Sequence, residues 1–256
     1  FGGPGRTALS FAPTYSMYPE YARDTHTRWV TGTREQDFTI DVNRALELIE
    51  AEQPDVVLLT SPNNPTGTAL PLDTIRAVAE VATGVVVVDE AYAEFRRAGT
   101  PSALEVLDKF PRMLVSRTMS KAFALAGGRL GYVAADAAII DALRIVRLPY
   151  HLSAVTQAVA LAALAHRDEL LARVDELRAT RDALSGWLTR EGYVVAESDA
   201  NFVLFGRFDD RHAVWQALVD RGVLIRETGP EGWLRVSVGT PAEMQAFYSS
   251  LQEVTR

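Results

Sequence analysis

The sequence contains no cysteine, which excludes a disulfide framework, a thiolate zinc site and a cysteine nucleophile together. That absence agrees with a reducing compartment, although a secreted chain can also lack cysteine. No apolar stretch approaches the roughly 18 residues that a membrane helix needs. The first residues, FGGPGR, do not follow the charged-then-apolar plan of a signal peptide. The expected location is therefore cytoplasmic. Positive charge is also scarce: 26 Lys and Arg stand against 33 Asp and Glu, a net charge of −7, with no basic run. Neither nucleic acid nor an anionic membrane is an expected partner, which leaves small molecules and other protein chains. His26, His166 and His212 sit in charged contexts with no ligand spacing among them, so no metal site is expected. What remains is ordinary globular composition, 256 residues that are 48% hydrophobic and 23% charged, enough for one large domain or two modest ones.

Short apolar runs bounded by turn residues alternate with helical patterns in the first half. Residues 7–13 (TALSFAP), 55–60 (DVVLLT), 85–89 (VVVVD), 112–117 (RMLVSR) and 129–135 (RLGYVAA) read as strands. Their near-continuous hydrophobicity is that of strands covered on both faces, so the sheet is expected to be mostly parallel. Helical spacing at 42–51 and 72–82 completes a βα repeat, with Pro71 suited to a first helical turn. The class is α/β, with ligands expected at the carboxyl ends of the strands. After Pro149 the texture becomes Ala- and Leu-rich and helical over 153–190, with a break near 166–168. Leu170, Leu171, Val174, Leu177, Leu184 and Leu188 form an apolar stripe expected to be core. Strands at 201–205, 223–227 and 233–239 and helices at 212–221 and from Pro241 make a smaller α+β module. The expected division is a large domain at 1–150 and an interdomain helix with a small C-terminal domain at 151–256.

Three segments carry more than structure requires. Ser61-Pro62-Asn63-Asn64-Pro65-Thr66-Gly67 follows a strand directly, Asp89-Glu90-Ala91-Tyr92 closes four valines, and Ser116-Arg117-Thr118-Met119-Ser120-Lys121 is followed by Gly127-Gly128-Arg129. Taken singly they are a tight turn, a helix cap and a surface lysine. Together they fall at consecutive strand ends, in the order that serves one crevice.

This set resembles the fold-type I pyridoxal-phosphate aminotransferases, in which a PNNPTG loop, a D-x-A-Y strand end and an S-K-x7-R segment recur in this order. The match spans nearly the whole chain, and the eight residues from Lys121 to Arg129 are the family's spacing. The resemblance implies a mostly parallel large domain, a smaller C-terminal α+β domain, and pyridoxal 5'-phosphate as cofactor. Such an enzyme needs an amine that condenses with an aldehyde and then shuttles a proton, which a desolvated lysine beside cations does well. Lys121 takes that part. Asp89 would keep the ring nitrogen protonated so that the ring draws electrons. Asn64 and Tyr92 would donate to the phenolate oxygen, and Tyr15 would stack on the ring. Thr118, Ser120 and Arg129 fit the phosphate. The family takes further phosphate donors from a loop that would precede residue 1, so the chain is expected to be a piece lacking an N-terminal arm and the opening strand and helix.

Within the class, APTYSMYPEYA, RTMSKAFALAGGRLGY, RLPYHLS, ANFVLF and WLRVSVGT are similar to the histidinol-phosphate aminotransferase family, its actinobacterial form above all. That implies exchange of an amino group between L-histidinol phosphate and 2-oxoglutarate in histidine biosynthesis, by a homodimer. Arg235 matches the family arginine that grips a substrate carboxylate, and Arg226 a second arginine of this branch. Two guanidinium forks suit a site that takes a phosphate dianion in one half-reaction and a carboxylate in the other. Asn201 could orient substrate or strand, and Tyr150 and His151 could touch substrate or simply start a helix. The same lysine, aspartate and arginine would serve an aromatic-amino-acid aminotransferase or a phosphothreonine decarboxylase. A ligand-sensing module of a transcription regulator would carry a basic DNA-binding region, and none is present. A folded but inactive remnant is the third reading.

Overall fold

Valine and leucine runs without polar interruption are stable only where both faces of a strand are covered. A computed structural model describes residues 1–255 and puts these runs in the middle of a six-stranded sheet. Its strands are β1 (Thr7–Ala12), β2 (Arg28–Thr33), β3 (Val56–Thr60), β4 (Val85–Asp89), β5 (Met113–Thr118) and β6 (Gly131–Ala135), in the spatial order β2-β1-β3-β4-β5-β6. The first five run parallel and β6 is antiparallel to β5, so the sheet is mostly parallel as expected. Leu9, Phe11, Val57, Leu59, Val86, Val88, Met113 and Val115 point into one core with Ile49, Ile75 and Val78 from the covering helices. Each such side chain contributes on the order of 1.5–3 kcal/mol of burial, which holds the carboxyl ends of the strands in a fixed row. In that row Thr60 lies opposite Asp89, and Asp89 opposite Ser116.

The connecting helices are α1 (Met17–Asp24), α2 (Val42–Glu52), α3 (Leu72–Val81) and α4 (Ala137–Val146). Asp41 caps α2, accepting the Arg44 N–H at 3.1 Å, and Asp136 caps α4 through the Ala138 N–H at 2.8 Å. Beyond them lie α5 (Ala154–Ala165) and α6 (Arg167–Arg190), then β7 (Val194–Val195), β8 (Phe202–Gly206), α7 (Arg211–Asp220), β9 (Trp233–Ser237) and α8 (Pro241–Val254). The last three strands form an antiparallel sheet, β7-β8-β9, packed on α6, α7 and α8 through Leu184, Leu188, Val203, Phe205, Leu218, Leu234 and Phe247. Among the described residues no helix is long and apolar enough to cross a membrane.

Several expectations need correction. Strand β2 and helices α1 and α4 were not anticipated; β2 (RWVTGT) is a half-exposed edge strand whose arginine and glycine mask its pattern. Residues 223–227 do not form a strand. Val223 closes the turn after α7 by donating to the Leu218 carbonyl, and only Arg226 pairs, with Arg235. The helical break near 166–168 is real, but the apolar stripe is core only in part. Val174, Leu184 and Leu188 are buried, Leu170 and Leu177 are half-buried, and Leu171 is exposed, as are Val155, Val159, Leu161 and Leu164 of α5. One side of α6 packs on the small sheet and on the segment after β4, through Leu184, Leu188 and Val174, and the other side is open.

Candidate active site

The carboxyl edge of the large sheet faces the small sheet across a cleft of about 1240 Å3. Its walls bring together Tyr15, Asn64, Arg226 and Arg235 with Trp29, Thr31 and Trp215, while Asp89, Tyr92, Thr118, Ser120, Lys121 and Arg129 are not part of that lining. Arg226 and Arg235 face each other through reciprocal backbone hydrogen bonds of 2.9 Å, so two guanidinium groups project from adjacent chain segments. Arg235 lies over the Phe202 ring at 4.5 Å and its Nη1 donates to the Asn64 side-chain oxygen. That bond leaves the Asn64 amide N–H groups free.

Lys121 follows β5 in a tight turn, where the Ser120 N–H and the Thr118 hydroxyl bond each other locally, the latter also donating to Ser120 Oγ at 2.9 Å. The Lys121 residue is more open to solvent than a crevice lysine was expected to be, yet its ammonium stands 5.5 Å from the centre of the Tyr92 ring. Partial burial, and then the charges of Arg235, Arg129 and Arg226, push its pKa down. Each of those factors penalises the ammonium form. Tyr92 is buried, packed edge-on to Phe202 at 5.1 Å, and burial raises its pKa. Arg129 has left-handed backbone (φ 49°) after two glycines, and its side chain meets only the Ala126 carbonyl, at 3.2 Å.

Asp89 ends β4 and Glu90 follows it, and the surroundings of the two carboxylates differ. Glu90 is buried and saturated: Arg117 donates to it from Nη2 at 2.7 Å and Nε at 3.0 Å, and the Ser102 hydroxyl and the Ala103 N–H add to it. Asp89 has no cationic partner among the described residues. It accepts from the Tyr18 hydroxyl at 2.8 Å and from the Ala91 N–H at 3.1 Å. Burial raises its pKa against those two bonds and one from Ser116. The converse holds for four cations: Arg226 and Arg235 on the cleft wall, and Lys121 and Arg129 after β5, have no carboxylate partner among the described residues. Four unpaired cations and one unpaired, desolvated carboxylate suit a bound group with anionic and cationic ends.

Tyr18 was missed in the sequence. It lies on the buried face of α1, one turn after Tyr15, and its hydroxyl also meets Thr60 Oγ1 at 3.1 Å, which in turn meets Thr14 Oγ1 at 3.1 Å. The three-residue step from Tyr15 was the available signal, since the turn that opens α1 brings the two rings together, 5.5 Å apart edge to face. Asn201 does not join the cleft: its carbonyl accepts the Val238 N–H at 2.9 Å and it is half-buried. Tyr150 is 98% exposed and His151 is exposed, both away from the cleft walls.

The model of the family described as aminotransferase class I and II matches residues 1–251. Histidinol-phosphate aminotransferase of Thermobifida fusca is 64% identical over 255 residues, which cover all of this chain and 70% of that protein. Histidinol-phosphate aminotransferase 3 of Burkholderia lata is 61% identical, covering 99% of this chain and 69% of that one. Among solved structures, histidinol-phosphate aminotransferase of Sinorhizobium meliloti in complex with pyridoxal-5'-phosphate superposes with a TM-score of 0.88 at 27% identity, over 99% of this chain and 71% of that chain. The chain belongs to the aminotransferase class I and II family.

Proposed function

We propose that the chain transfers an amino group between L-histidinol phosphate and 2-oxoglutarate, with pyridoxal 5'-phosphate as cofactor. One observation carries the reading: an amine whose pKa is lowered by partial burial and by the charges of three arginines without carboxylate partners, at the same sheet edge as a carboxylate without a cation. An aromatic amino acid donor carries one carboxylate, which one guanidinium fork can hold, whereas a phosphate dianion can engage both.

The donor set fits the cofactor. Asp89 lacks a cation and the ring nitrogen is one when protonated; Thr118, Ser120 and Arg129 offer hydroxyl and guanidinium donors to a phosphate, and Arg129 is free of acid partners. Asn64 and Tyr92 offer an amide and a phenol to the ring oxygen, and Tyr15 an aromatic face. When bound, the cofactor supplies a carbonyl that takes up the amine and a ring that accepts the electron pair left by deprotonation. The chain's own part is then positional and acid–base. Lys121 would take the proton from the substrate carbon that bears the amine and deliver it to the cofactor carbon on the other side of that nitrogen. Arg235 and Arg226 hold the far phosphate or carboxylate, so that this carbon stays within reach of the Lys121 amine. Asn201 would steady β8 rather than substrate.

On this reading residues 1–150 bind the cofactor and 151–256 form the interdomain helix and small C-terminal domain, the enzyme is cytoplasmic, and it works as a homodimer. The dimer is supported by the unpartnered apolar side chains of Ile145, Val146, Leu148, Val155 and Leu161, all 69–84% exposed, since monomers rarely leave such a patch open.

Two tests address the reading. Tyr18→Phe is expected to lower turnover about tenfold by removing one bond to Asp89. It should also raise the pH of the acidic limb, because that bond lowers the Asp89 pKa. An unchanged pH profile would remove Tyr18 from the site. In substrate profiling with 2-oxoglutarate as acceptor, kcat/KM for L-histidinol phosphate should exceed that for L-phenylalanine at least about 100-fold. Parity between the two would sink the substrate assignment while leaving the family intact.

A further inference from the structure

The loop between β7 and β8 buries a charge that the reaction does not use. Asp199 is 1% exposed. Its carboxylate receives the Arg97 backbone N–H at 2.7 Å, Arg97 Nη2 at 2.8 Å, Arg97 Nε at 3.4 Å and the Thr100 hydroxyl at 2.9 Å. Burial opposes its charge, but Arg97 and Thr100 more than offset this and hold its carboxyl below the usual range. Arg97 also binds Glu197. Arg97 and Thr100 follow β4 in the large-sheet part of the chain, so this fork spans the two sheets.

The same loop touches the turn that carries Asn64. The Asp199 N–H donates to the Gly67 carbonyl at 2.8 Å, and the Gly67 N–H closes the turn on Asn63 at 2.7 Å. Gly67 has φ 83°, and a Cβ there would sit 2.4 Å from Ser198 Oγ, so turn and loop meet with no room for a side chain. A third tie comes from Arg181 of α6, fully buried, whose Nη1 donates to the Phe95 carbonyl at 2.6 Å and the Ala200 carbonyl at 3.3 Å. Three residues beyond Asp199 is Phe202, beneath the Arg235 guanidinium; three residues before Gly67 is Asn64, which accepts from it. Both supports of Arg235 are therefore placed from one joint.

We propose that Asp199, clamped by Arg97 and Thr100, is a positioning residue that fixes the Arg235 guanidinium for the substrate anion. A buried ion pair is a poor source of stability, because desolvation offsets most of its attraction; what it gives here is a single relative placement of turn and loop. The proposal rests on the reading of Arg235 as the anion-binding group, and the experiment separates the two. Asp199→Asn keeps the shape and the backbone N–H but loses the charged fork. Arg97→Lys keeps the charge but not the fork, and serves if Asp199→Asn does not fold.

Both are made in the full chain with cofactor, alone and combined with Arg235→Gln. KM for 2-oxoglutarate and the dissociation constant of succinate, an unreactive dicarboxylate measured by calorimetry, are expected to rise about tenfold, with kcat within about twofold. In the Arg235→Gln background the clamp variants should add little, because the group they position is gone. If they lower the melting temperature but leave KM and succinate binding unchanged, or if their effects add fully to those of Arg235→Gln, Asp199 is only structural and the proposal fails. If Arg235→Gln itself leaves succinate binding intact, it is the reading of the anion site that fails.

Discussion

Lys121→Ala is expected to reduce amino transfer about 10^4-fold, because a base positioned at the reacting carbon contributes up to that order and the only other lysine of the sequence is Lys109. Lys121→Arg should be as inactive: it keeps a positive charge but supplies no neutral amine at working pH. Succinate binding should survive both changes, since Arg226 and Arg235 are untouched, which distinguishes loss of chemistry from loss of the cleft. The pH dependence follows from the neighbours. Burial and the Arg235, Arg129 and Arg226 charges lower the Lys121 pKa, so the neutral amine is populated at lower pH than in an ordinary lysine. Arg235→Gln removes one of those charges and must move the pKa up. Uptake of pyridoxal phosphate by the cofactor-free chain, followed by its visible absorption and fixed on Lys121 with borohydride, should then reach its plateau at higher pH. An unmoved plateau, or a borohydride label on another lysine, overturns the assignment of Lys121.

Asp89→Ala is expected to cost about 10^3-fold or more in turnover, as removal of a preorganised charge from a reacting centre does. A variant with near-normal turnover would overturn the cofactor placement proposed above. Stability should move the opposite way. The folded-state pKa of Asp89 is raised by burial, so its contribution to stability is full below its unfolded pKa and is lost as pH rises through the folded value. At neutral pH the cofactor-free chain therefore carries a desolvated carboxylate with no cation. Asp89→Asn keeps an acceptor for the Tyr18 hydroxyl and removes that charge, so the cofactor-free variant should melt above the parent at neutral pH. The gap should close as pH falls through the carboxylate range. Added pyridoxal phosphate should raise the parent's melting temperature more than the variant's, because only the parent pairs the ring nitrogen. A parent that melts higher without cofactor would mean that Asp89 is already satisfied by the chain.

The large sheet was legible because its signal is local: Val- and Leu-rich runs ending on Thr60 and Asp89, and a shorter one in β5, bounded by turn residues, read as buried strands, and their ends are where chemistry collects. The residues at those ends, Asn64, Asp89, Tyr92 and Lys121, could be listed from spacing and resemblance. Edge strand β2 was not legible, since a half-exposed strand containing arginine and glycine carries little periodic signal. Nor was the pairing of Arg226 with Arg235, because residues 223–227 look like a strand and act as a single bridge.

The sequence by itself therefore determined the α/β class, the family and the types of reacting group. Only the tertiary structure decided which carboxylate is free and which is spent: Asp89, the last residue of β4, meets Tyr18, and Glu90, the next residue, meets Arg117. It also decided that Asp199 meets Arg97, a contact 102 residues apart. Periodicity reports which face of an element is buried, whereas partners across a fold are set by how whole elements pack.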